Sequence, residues 1–403
     1  MKSSFWQAGH KPTLFSAFLY FDLSFMVWVL LGPLAVQMAI DLNLTPAQKG
    51  LMVATPVLAG ALLRIVMGVL VDQIKPKAAG LIGQIIVILS LLTAWLHGIE
   101  TFQQSLMLGI GLGFAGAAFA VALPLASRWY PPEHQGAALG IAGAGNSGTV
   151  FAALFAPSLA VAYGWNNVFG LALIPLGIAL AVYLIFAKDS PETPPAKSLS
   201  QYLAILKDKD AWWFMFFYSV TFGGFVGLAS SLTIYFNDLY ALGAVKAGYC
   251  TAACVFAGSL TRPIGGLIAD RVGGIRTLLS MYTIAAILLL VMSFGQPTYQ
   301  LALAIIIPVM AVLGMGNGAV FQLVPQRFRK EIGVMTGLVG MAGGVGGFYL
   351  AASLGYFKQT TGSYQAGLMI FAGLAVLAII GLSGVKMRWR TTWGSATATT
   401  AKV

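Results

Sequence analysis

The chain has 403 residues, of which only 9% are charged, against about 25% in ordinary soluble domains. That excludes a soluble enzyme, which needs more charge to cover its surface, and a disordered chain, since 58% of the residues are hydrophobic and 12% aromatic. A polytopic membrane protein remains, and the formal net charge of +11 must be placed before it is read as a nucleic-acid signal.

Twelve runs are long and apolar enough to cross a bilayer, which takes about 20 residues. The first six lie near 13–39, 48–71, 78–98, 104–127, 135–162 and 165–187. The second six lie near 212–237, 246–269, 277–295, 299–325, 333–357 and 364–385. Lipid offers no partner for free backbone groups, so the spans are helices and the fold is all-α. Long runs such as Leu81–Leu96 do not alternate as barrel strands would. The first run is too long for a cleavable leader and no small-x-small site follows it.

With the N-terminus inside, eighteen of the 23 Lys and Arg fall on the inner side. Lys49, Lys246 and Lys358 fall outside, and Arg64 and Arg262 fall within spans. This bias predicts a multi-pass protein with both termini cytoplasmic. It also accounts for the basic balance without nucleic acid. Cys250 and Cys254 share a helix face with no histidine or carboxylate beside them, so they are read as packing residues and no metal is expected. No cofactor motif and no nucleophile–base set appears, so an enzyme is not expected. Gly111-x-Gly113-x-x-Gly116 and Gly143-x-Gly145-x-x-Gly148 mimic a dinucleotide fingerprint, but neither follows a strand.

The stretch from Lys188 to Asp210 is the one long polar interruption, with Pro191, Pro194 and Pro195 followed by a short amphipathic run. It divides the chain into a six-helix bundle (1–187), a cytoplasmic linker with an interfacial helix (188–211), and a second six-helix bundle with a short tail (212–403). The halves repeat one another. Arg64, Gly68 and Asp72 recur at an offset of 198 as Arg262, Gly266 and Asp270. Such parallel repeats place a site between the halves near mid-membrane.

Arg64 and Arg262 lie eight residues before the helix-ending aspartates, about 12 Å deep. An arginine there costs about 2.5–3.5 kcal/mol on insertion scales and cannot shed its proton. Two such guanidiniums facing one cavity make an anion site, and their planar forks suit an oxyanion. Asp22 is the only carboxylate well within a span and is a possible proton site. Asp72, Asp270 and Arg271 are read as gating-loop residues rather than substrate contacts. The glycines of span five (Gly143, Gly145, Gly148) and span eleven (Gly340, Gly343, Gly344, Gly347) let helix backbones approach closely. Asn146 in mid-span either bonds a neighbouring helix or lines the cavity.

The loop Gly266-Leu-Ile-Ala-Asp270-Arg271-Val-Gly273-Gly274-Ile-Arg276 resembles the loop signature of the major facilitator superfamily. Its first-half copy is weaker, with Gln73 where arginine is usual. Gly143-Ala-Gly145-Asn146-Ser147-Gly148 and Gly340-Met-Ala-Gly343-Gly-Val-Gly346-Gly347-Phe348 resemble the paired signatures of the nitrate/nitrite porter family within it. So do Phe25 to Leu34, Tyr218 to Phe225, and Gly318 to Gln322. This resemblance implies that Arg64 and Arg262 hold the anion, with Asn146 and Tyr218 donating to it. It implies that Phe222 covers one face of the anion. Phe119 is the candidate for the other face, with Phe114 the alternative if the register differs. The implied protein is a functional monomer in the bacterial inner membrane. It carries nitrate and nitrite by alternating access, through proton symport or exchange. The alternatives are a carrier of another small anion and a nitrate sensor without net transport.

Overall fold

The computed structural model describes residues 5–191, 199–328 and 331–393. All twelve expected spans are helical: Lys11–Asp41, Pro46–Ile74, Pro76–His97, Phe102–Ser127, Ala138–Tyr163 and Trp165–Phe186, then Lys209–Tyr240, Ala244–Val272, Gly274–Ser293, Tyr299–Arg327, Ile332–Thr361 and Gln365–Thr391. They are called spans 1 to 12. A short helix, Leu199–Ile205, precedes span 7. Residues 192–198 of the expected linker, and Arg329 and Lys330, lie outside the described residues.

Helix starts follow ordinary capping rules. Thr45 and Thr101 form capping boxes with Gln48 and Gln104, satisfying backbone donors that would otherwise be orphaned. The turn between spans 2 and 3 enters a positive φ of 73° at Lys75, and its repeat copy between spans 8 and 9 does so at Gly273, with φ of 107°. Only the second loop has the residue that suits this geometry.

The first half contains breaks that the second does not. Span 1 is two helices, Lys11–Trp28 and Leu31–Asp41. Pro33 has no N–H to donate back to Val29, and the Gly32 N–H turns to the Val29 carbonyl instead, at 3.0 Å. Span 4 breaks between Gly116 and Phe119. Span 5 tightens into a 3₁₀ turn over Ala144–Ser147, in the middle of its signature. Spans 7, 8, 10 and 11 run unbroken.

Among the described residues, hydrogen bonds join the halves at these places. Arg64 reaches the Gly340 carbonyl, Lys49 reaches Asp238, the Ala47 amide reaches Gln359, and Ser158 lies beside Tyr249. Gly50 and Gly355 bring spans 2 and 11 together at backbone distance, since a Cβ on Gly50 would sit 2.8 Å from the Gly355 Cα. These seams lie at the level of Arg64 or beyond it, on the face opposite the termini. That face is closed.

Candidate functional site

Two of the three breaks of the first half, those in spans 1 and 4, lie against Arg64. Its side chain is only 1% exposed. The break in span 4 leaves the Gly116 carbonyl to accept from Arg64 Nε at 3.2 Å. Arg64 Nη1 donates to the Gly340 carbonyl of span 11 at 2.5 Å, crossing between the halves. The Arg64 Cζ lies 5.5 Å from the Trp28 ring, 5.0 Å from Phe119 and 5.2 Å from Phe222. Three aromatic faces thus surround one guanidinium, which they attract through their ring quadrupoles. Only Nη2 is buried without a hydrogen-bond partner.

Arg262 sits differently. It is half-buried, and its Nη2 donates to the Tyr218 hydroxyl at 3.4 Å. Its Cζ lies 5.6 Å from the Phe321 ring, and its Nη1 is buried without a partner. Neither arginine pairs with a carboxylate among the described residues. Neither presents the empty fork expected from the sequence, because backbone carbonyls and a phenol already occupy part of each. What each offers is one unpartnered buried nitrogen.

Aromatic contacts link the two. Tyr218 and Phe222, one turn apart on span 7, stack with centroids 5.1 Å apart and planes within 4°. Phe321 stands edge-on to Tyr218 at 5.0 Å and to Phe119 at 6.3 Å. Arg64, Arg262, Tyr218, Phe222 and Phe119 therefore form one cluster. Phe119, rather than Phe114, is the ring against Arg64.

Asn146 is 3% exposed, held in the 3₁₀ turn of span 5, and its Oδ1 has no hydrogen-bond partner. An amide whose two ends are interchangeable by rotation can turn its N–H₂ to an anion. The next residue, Ser147, donates from Oγ to Asp22 at 2.7 Å. Asp22 is 4% exposed, with no basic partner among the described residues. Gly148 makes this approach possible, since a Cβ there would lie 1.7 Å from the Asp22 carbonyl oxygen.

The other signature glycines differ in what they face. A Cβ on Gly145 would meet the Phe21 ring at 2.5 Å, on Gly344 the Ala61 Cβ at 2.6 Å, and on Gly347 a Val226 methyl at 2.3 Å. Gly340 is looser, at 3.2 Å from Arg64 Nη1, and Gly143 faces open space. Gly343 faces the site itself, with a Cβ placed 2.6 Å from Tyr218 Cδ1 and 2.8 Å from Phe222 Cδ1. Gly343→Ala is therefore expected to push the stacked pair aside at an overpacking cost of about 1–3 kcal/mol. Anion-dependent thermal stabilisation of the purified protein checks this, and undiminished stabilisation would show that the rings need not hold this register.

On the termini side the ion pairs stay within each half. Asp72 accepts from Arg128 at 2.8 Å. Asp210 accepts from Arg327 Nε at 2.9 Å, from Trp389 Nε1 at 2.8 Å and from Arg388. Asp270 and Arg271 are exposed and make no ion pair among the described residues.

Sequence reasoning passed over Trp28 and Phe321 as contacts of the arginines. Trp28 did carry a signal. The other tryptophans in spans lie near span ends, where the ring sits at the membrane interface, and Trp28 lies at mid-span.

The family profile of the Major Facilitator Superfamily matches residues 15–351. The chain belongs to that superfamily. It is a membrane transporter, not an enzyme. Among its curated relatives, the chain is 31% identical to a nitrite extrusion protein of Bacillus subtilis over 88% of its own length and 89% of that protein's. It is 31% identical to the probable nitrate/nitrite transporter NarK2 of Mycobacterium tuberculosis (strain ATCC 25618 / H37Rv), over 88% of this chain and 91% of that one. A solved bacterial homologue of the human lysosomal transporter Spinster, inward-facing and occupied, matches with a TM-score of 0.66 at 18% identity. That match covers 94% of this chain and 96% of the other, and it shows the shared fold.

Proposed function

We propose that the protein carries nitrate and nitrite across the bacterial inner membrane by alternating access. The observation that carries this reading is the pairing of a buried and a half-buried arginine on one aromatic cluster, each with one unpartnered buried nitrogen, Arg64 Nη2 and Arg262 Nη1. A flat oxyanion lodged between them takes a charge-assisted hydrogen bond from each. Asn146 and Tyr218 donate to the anion, and Phe222 and Phe119 close over its faces. The names of the relatives, a nitrite extrusion protein and a nitrate/nitrite transporter, support the same substrates.

An empty site brings two positive charges together when the cavity closes, so the anion favours the occluded arrangement and with it the switch. Asp72, Asp270 and Arg271 gate the termini side, and the glycines of spans 5 and 11 accommodate the rocking of the halves. The Lys and Arg bias places both termini in the cytoplasm. The protein works as a monomer, because both arginines come from one chain.

Flux into proteoliposomes tests this. Nitrate entry is compared between empty vesicles, nitrite-loaded vesicles and vesicles under an imposed proton gradient. Chlorate, formate and phosphate serve as competitors. Absence of nitrate flux in every condition overturns the reading, and stronger competition by formate or phosphate redirects it to another anion. Coupling turns on Asp22. Proton symport against a negative interior needs at least two protons per nitrate to be driven by the membrane potential, whereas exchange needs no titrating group. Asp22→Asn is expected to abolish the gradient-driven component while nitrite-loaded counterflow continues. Unaltered uptake at every pH removes Asp22 from coupling.

A further inference from the structure

We infer that Trp28 is a positioning residue that fixes the anion preference of the site, by holding the Arg64 guanidinium dry and in one orientation. This rests on the reading of Arg64 as an anion contact.

Trp28 is fully buried and is the last residue of the first helix of span 1, just before the Pro33-induced break. Its Nε1 donates to the Pro56 carbonyl of span 2 at 2.7 Å, two turns before Arg64 on the same helix. Two glycines make room for the indole. A Cβ on Gly60 would lie 2.7 Å from Trp28 Nε1, and one on Gly116 would lie 2.3 Å from the same ring. Gly116 is also the residue whose carbonyl accepts from Arg64 Nε. Spans 1, 2 and 4 therefore meet at three mutually dependent groups: the indole, the Gly116 backbone and the guanidinium.

The chemistry follows from what this enclosure denies to Arg64. Water normally hydrates a guanidinium around its edge, where the N–H donors point, and only weakly over its faces. Here rings cover the faces, backbone carbonyls take Nε and Nη1, and the residue is 1% exposed. An anion reaching Nη2 gives up its own water for little more than one N–H and the electrostatics of a dry pocket. Burying a charge is costly unless it is well paired. That cost is lowest for an anion whose single charge is spread over three oxygens, as in nitrate and chlorate. It is higher for formate, which shares its charge between two oxygens, and for phosphate, which carries between one and two charges at neutral pH. Without the indole, water reaches the guanidinium, Arg64 gains freedom, and the discrimination narrows. Trp28 does not need to touch the anion for this, since it acts through Arg64.

The test compares Trp28→Leu, which removes the ring, with Trp28→Phe, which keeps a ring face but loses the N–H. Nitrate KM and Vmax are measured in proteoliposomes, and thermal stabilisation by nitrate and by formate is measured in detergent. Loss of a desolvated cation–π contact predicts that Trp28→Leu raises nitrate KM about tenfold or more. Vmax is expected to change much less, the preference for nitrate over formate to shrink, and Trp28→Phe to stay close to wild type. A pure packing role predicts lower stability and lower Vmax with the anion ranking intact, and that result overturns the inference. Equal damage from Trp28→Phe and Trp28→Leu also overturns it, by assigning the effect to the Pro56 hydrogen bond. Should Trp28→Leu not fold, an unchanged anion ranking in Trp28→Tyr together with a changed one in Trp28→His supports the ring wall, and any other ranking overturns it. If the wild type itself shows no stabilisation by any anion, the anion-site reading fails and this inference with it. If the wild type responds and Trp28→Leu responds identically, only the inference fails.

Discussion

Arg64→Lys is expected to lower nitrate flux by about a hundredfold, with Arg262→Lys costing about tenfold or more. The difference comes from what each guanidinium does besides meeting the anion. Arg64 makes two charge-assisted bonds to backbone carbonyls, at Gly116 and Gly340, while keeping Nη2 free. Hydrogen bonds to charged groups are worth about 1.5–3 kcal/mol, and each 1.4 kcal/mol is about a factor of ten. A lysine ammonium is a point charge on a flexible stem and cannot reproduce the three-way planar geometry. It either holds the carbonyls or serves the anion. Arg262 makes one long bond, 3.4 Å to Tyr218, so its replacement loses less of the scaffold and mainly the anion contact. Initial-rate counterflow with nitrite-loaded vesicles measures both. Wild-type rates in either variant remove that arginine from the transport step, and equal losses in both show that the wrapped environment of Arg64 adds nothing.

That asymmetry is the part of the site least visible in the sequence. The repeat placed Arg64 and Arg262 at matching positions and depths, and the low charge of the chain made both conspicuous. A repeat in sequence does not require a repeat in packing. Arg64 is enclosed where spans 1 and 4 break beside it. Arg262 is half-buried, and the counterparts of those spans, 7 and 10, are continuous helices. Glycine content does not foretell which helix breaks. Span 11 contains more glycines than span 5 yet runs unbroken from Ile332 to Thr361. The glycines of span 11 are used instead to admit Tyr218, Ala61 and Val226. Span 5 turns 3₁₀ over Ala144–Ser147, where Gly145 and Gly148 press against the Phe21 ring and the Asp22 backbone and Ser147 bonds Asp22. Which of these happens depends on the neighbouring helix, and that is tertiary information. The twelve spans themselves were legible because lipid leaves the chain no alternative to long apolar helices.

Asp238→Asn is expected to open the face opposite the termini. In the structure Lys49 of span 2 meets Asp238 of span 7 at 3.1 Å, an ion pair that crosses between the halves. Tyr364 reinforces it by donating to the same carboxylate at 2.7 Å. The phenol of Tyr364 is held well above its ordinary pKa, first by burial and then by Asp238, so it remains a donor across the physiological range. Both partners of the ion pair are about 15% exposed, which makes the pair worth more than the ~0–1 kcal/mol of a fully exposed one. Alternating access requires this pair to part whenever that face opens. Removing the carboxylate charge leaves Lys49 half-buried without a counter-charge and biases the protein toward the open arrangement, by several-fold in population for each ~1 kcal/mol. A cysteine at Ala351, buried on span 11 where its backbone meets Gly50, reports the change in a background with Cys250 and Cys254 replaced. Labelling by a bulky maleimide in detergent needs no knowledge of membrane sidedness. Faster labelling in Asp238→Asn, reversed by the exchange Lys49→Asp with Asp238→Lys, is the expected result. Equal labelling in all variants shows instead that the remaining contacts between the halves, Gly50–Gly355 among them, keep this face closed without the ion pair. The same variant separates the latch from the anion site, because Asp238 lies more than four turns beyond Phe222 and Tyr364 lies in the loop before span 12. Nitrate stabilisation of the arginine cluster should persist in Asp238→Asn once the population shift is allowed for, whereas Arg64→Lys abolishes it with the latch intact.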